Sequence, residues 1–244
     1  MMLRKNTRIK RVDRLCSNTH IRAEIDDIYQ HISCLLISPG SVPIILVDWS
    51  DLDERKQHFL LRASLATQGR SLTLFEEVHP LSKKEKPATH QDFMEKLKAM
   101  LPTTCKPIVI TDAGFRTPWF QLIESLGWDY IGRVRNSTYC KRKADDVWFS
   151  IKKLYEKATR KSKDLGIYQQ VRKKLFESRL IVVKRKPKRR KDNISTGEKA
   201  RMSKLSRSCA SRESEPWLLA TSLKKTKEVA KKIRRLYATR KADV

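Results

Sequence analysis

Pro43-Ile-Ile-Leu-Val-Asp48-Trp49 and Pro107-Ile-Val-Ile-Thr-Asp112 are two short apolar runs, each opened by a proline and closed by an aspartate. Their length and β-branched content predict buried strands. If the two strands lie parallel as neighbours, both aspartates emerge at the same sheet edge. Two carboxylates held close repel unless a cation lies between them, and hard oxygen donors of this kind suit Mg²⁺. Two such ions ~3.5–4 Å apart can activate a water or a 3′-hydroxyl and stabilise the leaving oxygen in phosphodiester transfer. Acids at strand ends also serve as plain loop caps, and the spacing alone leaves both readings open.

Reading outward from these runs, Phe59–Thr67 and Ser71–Val78 are two further strands across the turn signal Gln68-Gly69-Arg70. With the first run they predict an antiparallel meander. Thr89–Leu101 reads as a helix with Phe93, Leu97 and Met100 on one face, closed by Pro102. Pro118–Leu126 is a second helix with Gly127 as its stop, and Asp129–Val134 is a fifth strand. Three antiparallel strands, then helix, strand, helix, strand, predict an α/β fold with an RNase H-like mixed sheet. Fold alone does not assign function.

The flanks differ in character. Residues 1–35 read as helical and basic, with Ile21, Ile25, Ile28 and Ile32 forming a helical stripe. Residues 136–214 are dominated by Lys and Arg, densest in Lys184–Lys191, and predict a basic insertion that is β-rich or partly disordered without DNA. Val171–Val183 can hold strand content there. Glu215–Thr221 then reads as a sixth apolar strand, and Thr226–Tyr237 as a basic amphipathic helix carrying Val229, Ile233 and Leu236 on one side.

Among 244 residues, 54 Lys and Arg face 27 Asp and Glu, a formal net charge of +27. A domain with that imbalance repels itself unless a polyanion neutralises it, and nucleic acid is the usual one. The five cysteines (Cys16, Cys34, Cys105, Cys140, Cys209) are odd in number, and no two stand at metal-ligand spacing. This argues against a disulfide framework or a zinc site and for reduced thiols. The five histidines are scattered and none is assigned as a ligand. No apolar run approaches the ~18–20 residues of a membrane helix, and no signal core follows the basic N-terminus. A soluble, unexported protein is expected, cytoplasmic and associated with the nucleoid, with no membrane partner.

Several blocks carry a resemblance: Ile45-Leu-Val-Asp-Trp-Ser-Asp51, Leu61-Arg-Ala-Ser64, Thr111-Asp-Ala-Gly-Phe115, Pro118-Trp119, Leu126-Gly-Trp128, Arg133-Val-Arg135, Glu215-Pro-Trp-Leu-Leu-Ala-Thr221 and Tyr237-Ala-Thr-Arg240. In these, over about residues 5–240, the sequence resembles the DDE transposases of insertion-sequence family four, most closely the insertion-sequence ten branch. The resemblance implies that Asp48 and Asp112 are the first two catalytic, metal-holding aspartates. It implies Mg²⁺, with Mn²⁺ as an alternative, and double-stranded DNA, element ends and target, as partner. It is compatible with a dimer on DNA. It implies that Tyr237 and Arg240 contact DNA near the cut, and it favours Lys184, Arg185, Lys188, Arg189 and Arg190 lying against the DNA backbone, with a solvated tail as the alternative reading of that block.

The family signature is Tyr, two residues, Arg, three residues, Glu, six residues, Lys. Tyr237 and Arg240 fill its first two places, and the third catalytic Glu falls at the position of Val244. Asp243 is one residue off register, a rotation of ~100° on a helix. The segment before Lys5–Arg14 is also short for the family. The expectation is a chain truncated at both ends and inactive in excision. Its parts would be a remnant of a helical DNA-binding region (1–40), the catalytic core (41–135), the basic insertion (136–214), and the last strand with the start of the signature helix (215–244). Two other readings stand beside it: a DNA-binding module without chemistry, and a different RNase H-like nuclease. Trp49 is expected in the core, with stacking near a flipped base as the alternative.

Overall fold

The computed structural model describes residues 3–135, 138–143, 145–171, 175–184 and 215–240. Strands β1 (Ile44–Asp51), β2 (His58–Ala66) and β3 (Ser71–Pro80) form the antiparallel meander. Gly69 takes a φ of +84° between β2 and β3, a left-handed conformation that favours glycine. Helix α3 (Pro87–Met100) then carries the chain to β4 (Ile108–Thr111), parallel to β1 with Ile44 beside Ile108 and Leu46 beside Ile110. Helix α4 (Thr117–Ser125) makes the second crossover, to β5 (Asp129–Arg133), parallel to β4. Parallel pairing requires such crossovers, because a tight turn cannot return a strand to the same direction. The order β3-β2-β1-β4-β5 is that of an RNase H-like sheet.

The second half of the chain extends the same sheet. Strands β6 (Tyr139–Arg142), β7 (Phe149–Ser150), β8 (Lys163–Gln170), β9 (Phe176–Val183) and β10 (Trp217–Thr221) follow. Strand β10 pairs antiparallel with β5, and the full order is β3-β2-β1-β4-β5-β10-β9-β8-β6-β7. The eight-residue β8 has no clear apolar alternation, and Gly166 at φ +89° sits where its register shifts against β9. Both features hide it from a reading by period two.

Alternation along the strands sorts the core into two faces. Ile45, Val47, Val109 and Tyr130 share one face with Phe93, Met94, Leu97, Trp119, Phe120 and Ile123 of α3 and α4. Leu46, Ile108, Ile110, Ile131 and Leu219 point the other way, under α5 (Val229–Thr239), which lays Val229, Ile233 and Tyr237 on them. Strand β4 is buried on both faces, as its unbroken apolar run requires. Gly132 of β5 lies under the Phe120 ring, where a Cβ would collide with ring carbons.

At the N-terminus, α1 (Leu3–Cys16) precedes α2 (Thr19–Leu36). The isoleucine stripe of α2 faces outward: Ile21, Ile25, Ile28 and Ile32 are all exposed, while Tyr29 packs edge-on against Phe75 and Ser33 is buried. Cys16 and Cys34 are exposed free thiols, and Cys105 and Cys140 are buried ones. Burial pushes the Cys140 thiol up to about 12. No helix among the described residues is long and apolar enough to cross a membrane.

Candidate active site

Carrying the β1–β4 register two residues beyond Leu46–Ile110 sets Asp48 beside Asp112; Asp112 follows the last residue of β4, whereas β1 runs on past Asp48 to Asp51, paired with β2. The parity of both positions directs them to the face covered by α5. Asp112 opens the turn after β4, and its Oδ1 accepts the Gly114 N–H at 2.8 Å. A Cβ on Gly114 would stand 3.1 Å from that oxygen, so a side chain there would press on the carboxylate. Helix α5 ends at Thr239, and the next residue, Arg240, reaches both acids. Its Nη2 lies 2.8 Å from Asp48 Oδ1 and 3.7 Å from Asp112 Oδ2.

The electrostatics follow from this triangle. Burial raises the Asp48 pKa, Arg240 lowers it, Asp112 raises it further, and the net shift is upward. Burial alone would lower the Arg240 pKa, but Asp48, Tyr237 and Asp112 outweigh it and hold the guanidinium above its usual value. The carboxylates thus already share one cation. Their hard oxygen donors also fit Mg²⁺ or Mn²⁺. Among the described residues, no group of three or more His, Cys, Asp or Glu is placed to hold a metal.

A cleft of about 580 Å³ opens beside Asp112 at the N-terminus of α4, lined by Glu85, Gly114, Arg116, Arg133, Arg135 and Gln170 among others. Arg133 is 9% exposed, and its Nη2 donates to the Glu215 carbonyl at 3.5 Å. Its burial, with Arg135 nearby, lowers its pKa. Arg135 pairs with the Glu215 carboxylate at 3.2 Å. Residue patterns gave these arginines no role of their own. A signal was nonetheless present in Arg133-Val-Arg135, two cations alternating with an apolar residue at the end of a buried strand.

Tyr237 is 2% exposed, its ring edge-on to Trp217 at 4.8 Å. Burial raises its pKa. Its side chain is packed beside the site, at the position for which a contact to DNA near the cut is expected. Lys184 is exposed and its backbone N–H donates to Thr159 O at 2.8 Å. Arg185, Lys188, Arg189, Arg190 and Val244 lie outside the described residues. Trp49 packs on the core face opposite Asp48, its Nε1 donating to His90 Nε2 at 3.1 Å.

Residues 40–242 match a family model described as "Transposase DDE domain". No curated protein matches the chain. Among solved structures, the chain is similar to a variant of endonuclease V from Ciona intestinalis in complex with a 23mer DNA containing an inosine followed by a ribo-adenosine. That likeness has 13% identity and a TM-score of 0.40, and covers 90% of this chain and 89% of the other.

Proposed function

This chain belongs to the transposase DDE domain family, and we propose that Asp48 and Asp112 are its catalytic carboxylates for phosphodiester cleavage and strand transfer on double-stranded DNA. The observation that carries the reading is the convergence of both carboxylates on one nitrogen of Arg240, at 2.8 Å and 3.7 Å. Asp48 and Asp112 would hold Mg²⁺ or Mn²⁺. Bound there, the ion supplies Lewis acidity at phosphorus and eases ionisation of the attacking hydroxyl.

The family chemistry is in-line displacement. An oxygen nucleophile, water or a 3′-hydroxyl, forms a new P–O bond as the leaving P–O bond breaks, and its proton passes to solvent. No covalent protein intermediate is needed. On this reading the intact reaction cuts element ends, forms and reopens a hairpin, and joins the freed 3′-hydroxyl to target DNA. Arg116, exposed at the cleft, would bind phosphates of the strand entering it, since guanidinium matches phosphate geometry. Tyr237 would act through packing, by setting where α5 delivers Arg240. The Lys184–Lys191 block would contact the DNA backbone. The finer assignment is an insertion-sequence element of family four, insertion-sequence ten branch, working on nucleoid DNA.

The family signature's third place holds Val244 where a Glu is expected, and among the described residues no third carboxylate joins Asp48 and Asp112. We therefore assign DNA binding to this chain and not hairpin formation. The test combines anisotropy of a fluorescent duplex bearing the DNA that flanks its own gene with a denaturing gel of the same duplex incubated with Mn²⁺. Tight, steeply salt-dependent binding with no hairpin is expected. Absence of binding would overturn the DNA-binding reading of this chain. A hairpin product would overturn only its assignment as non-catalytic.

A further inference from the structure

Arg240, expected near the cut against DNA, stands instead where a metal ion would, between the two acids. Its guanidinium is the bridge between the two acids, and its side chain is only 20% exposed. The reach is set from behind. Tyr237 and Ile233, three and seven residues earlier and 2% and 0% exposed, fasten α5 to the sheet. The end of the helix therefore arrives over the strand ends with little freedom. The contact to Asp48 at 2.8 Å is a charge-assisted hydrogen bond, the stronger class.

A divalent cation and a guanidinium cannot both occupy the gap between the same two carboxylates, since like charges at that range repel strongly. Arg240 must leave before a metal ion can take its place. A guanidinium leaves readily only for another anion of matching geometry, and a DNA phosphate is one.

We propose that Arg240 is a latch: it fills the cation position between Asp48 and Asp112 in the free chain and releases it when a DNA phosphate draws the guanidinium away. The proposal rests on the reading of Asp48 and Asp112 as metal-holding carboxylates. Metal affinity is then low without DNA, and DNA raises it. By linkage, metal raises DNA affinity by the same factor. The latch would keep an enzyme of this kind from holding an active metal centre away from its substrate.

The test measures free Mn²⁺ by electron paramagnetic resonance in titrations of the full 244-residue chain, with and without a short duplex. Three proteins are compared: wild type, Arg240→Gln and Asp48→Asn. Arg240→Gln should bind Mn²⁺ about tenfold more tightly than wild type, within the ~5–150-fold range of ordinary couplings. The duplex should tighten wild type by a similar factor and leave Arg240→Gln unchanged. Asp48→Asn, which also gives the Mn²⁺ taken up by the duplex itself, should abolish binding to the protein. If Asp48→Asn abolishes binding and Arg240→Gln does not tighten it, the latch alone fails. If Asp48→Asn binds Mn²⁺ as wild type does, the metal-site reading and the latch fail together. Should Arg240→Gln not fold, the wild-type titration decides: no tightening by duplex overturns the latch.

Discussion

Gly132→Ala should be among the most damaging single-methyl additions in the protein. Gly132 lies on β5, paired with Thr111, the residue before Asp112. The added Cβ would fall within the envelope of Phe120 Cε1 and Cζ. That ring has no room to retreat: Phe120 is 2% exposed and stacks on Tyr130 at 4.6 Å and on Phe176 at 6.2 Å. Overpacking of this kind costs about 1–3 kcal/mol. At ~2–4 °C per kcal/mol for a chain of this size, the melting temperature should fall by about 2–12 °C. Thermal unfolding by circular dichroism is the assay. The mechanism also predicts rescue, because Phe120→Leu removes the colliding atoms. The double variant should be less damaged than the sum of the singles by ~0.5–3 kcal/mol. If Gly132→Ala melts within about 1 °C of wild type, the ring does not lie on Gly132 and the reasoning from close approach is wrong.

Three further outcomes are expected. Burial lowers the His90 pKa from 6.5 to about 4, so the unfolded chain takes up a proton below about 6.5 that the folded chain accepts only near 4. Stability is therefore lost as pH falls through that window, by at most roughly 3 kcal/mol. His90→Gln should flatten the decline in urea titrations between pH 7 and pH 4.5, and an unflattened decline would place its origin elsewhere. Ile233→Ala truncates a fully buried side chain of α5 and should cost about 2–5 kcal/mol. Hydrogen exchange should show the weakening first along 229–239, and uniform protection there would refute the role given to this residue. Neutralising four cations of Lys184–Lys191 should flatten the salt dependence of DNA binding, by ~0.9 in log–log slope for each phosphate the protein no longer neutralises. An unchanged slope would remove the block from the interface.

Residue patterns alone were enough for the core order of strands and helices. Pro43–Asp48 and Pro107–Asp112 are too short and too β-branched for helix, and proline and glycine punctuate the segments between them, so local chemistry settles element type. The +27 charge likewise implies a polyanion from composition alone. Other features were beyond a one-dimensional reading. That β1 and β4 are adjacent and in register, bringing two acids more than sixty residues apart into contact with one guanidinium, is a property of strand pairing across the chain. The outward turn of the α2 isoleucine stripe depends on which face α3 and β3 leave for that helix, and periodicity finds a stripe without saying what covers it. Strand β8 is held by its neighbours on both sides rather than by its own alternation. The buried Arg133 and the packed Tyr237 show the same limit. Burial is decided by the elements that arrive from elsewhere in the chain, and those are fixed only when the whole sheet closes around them.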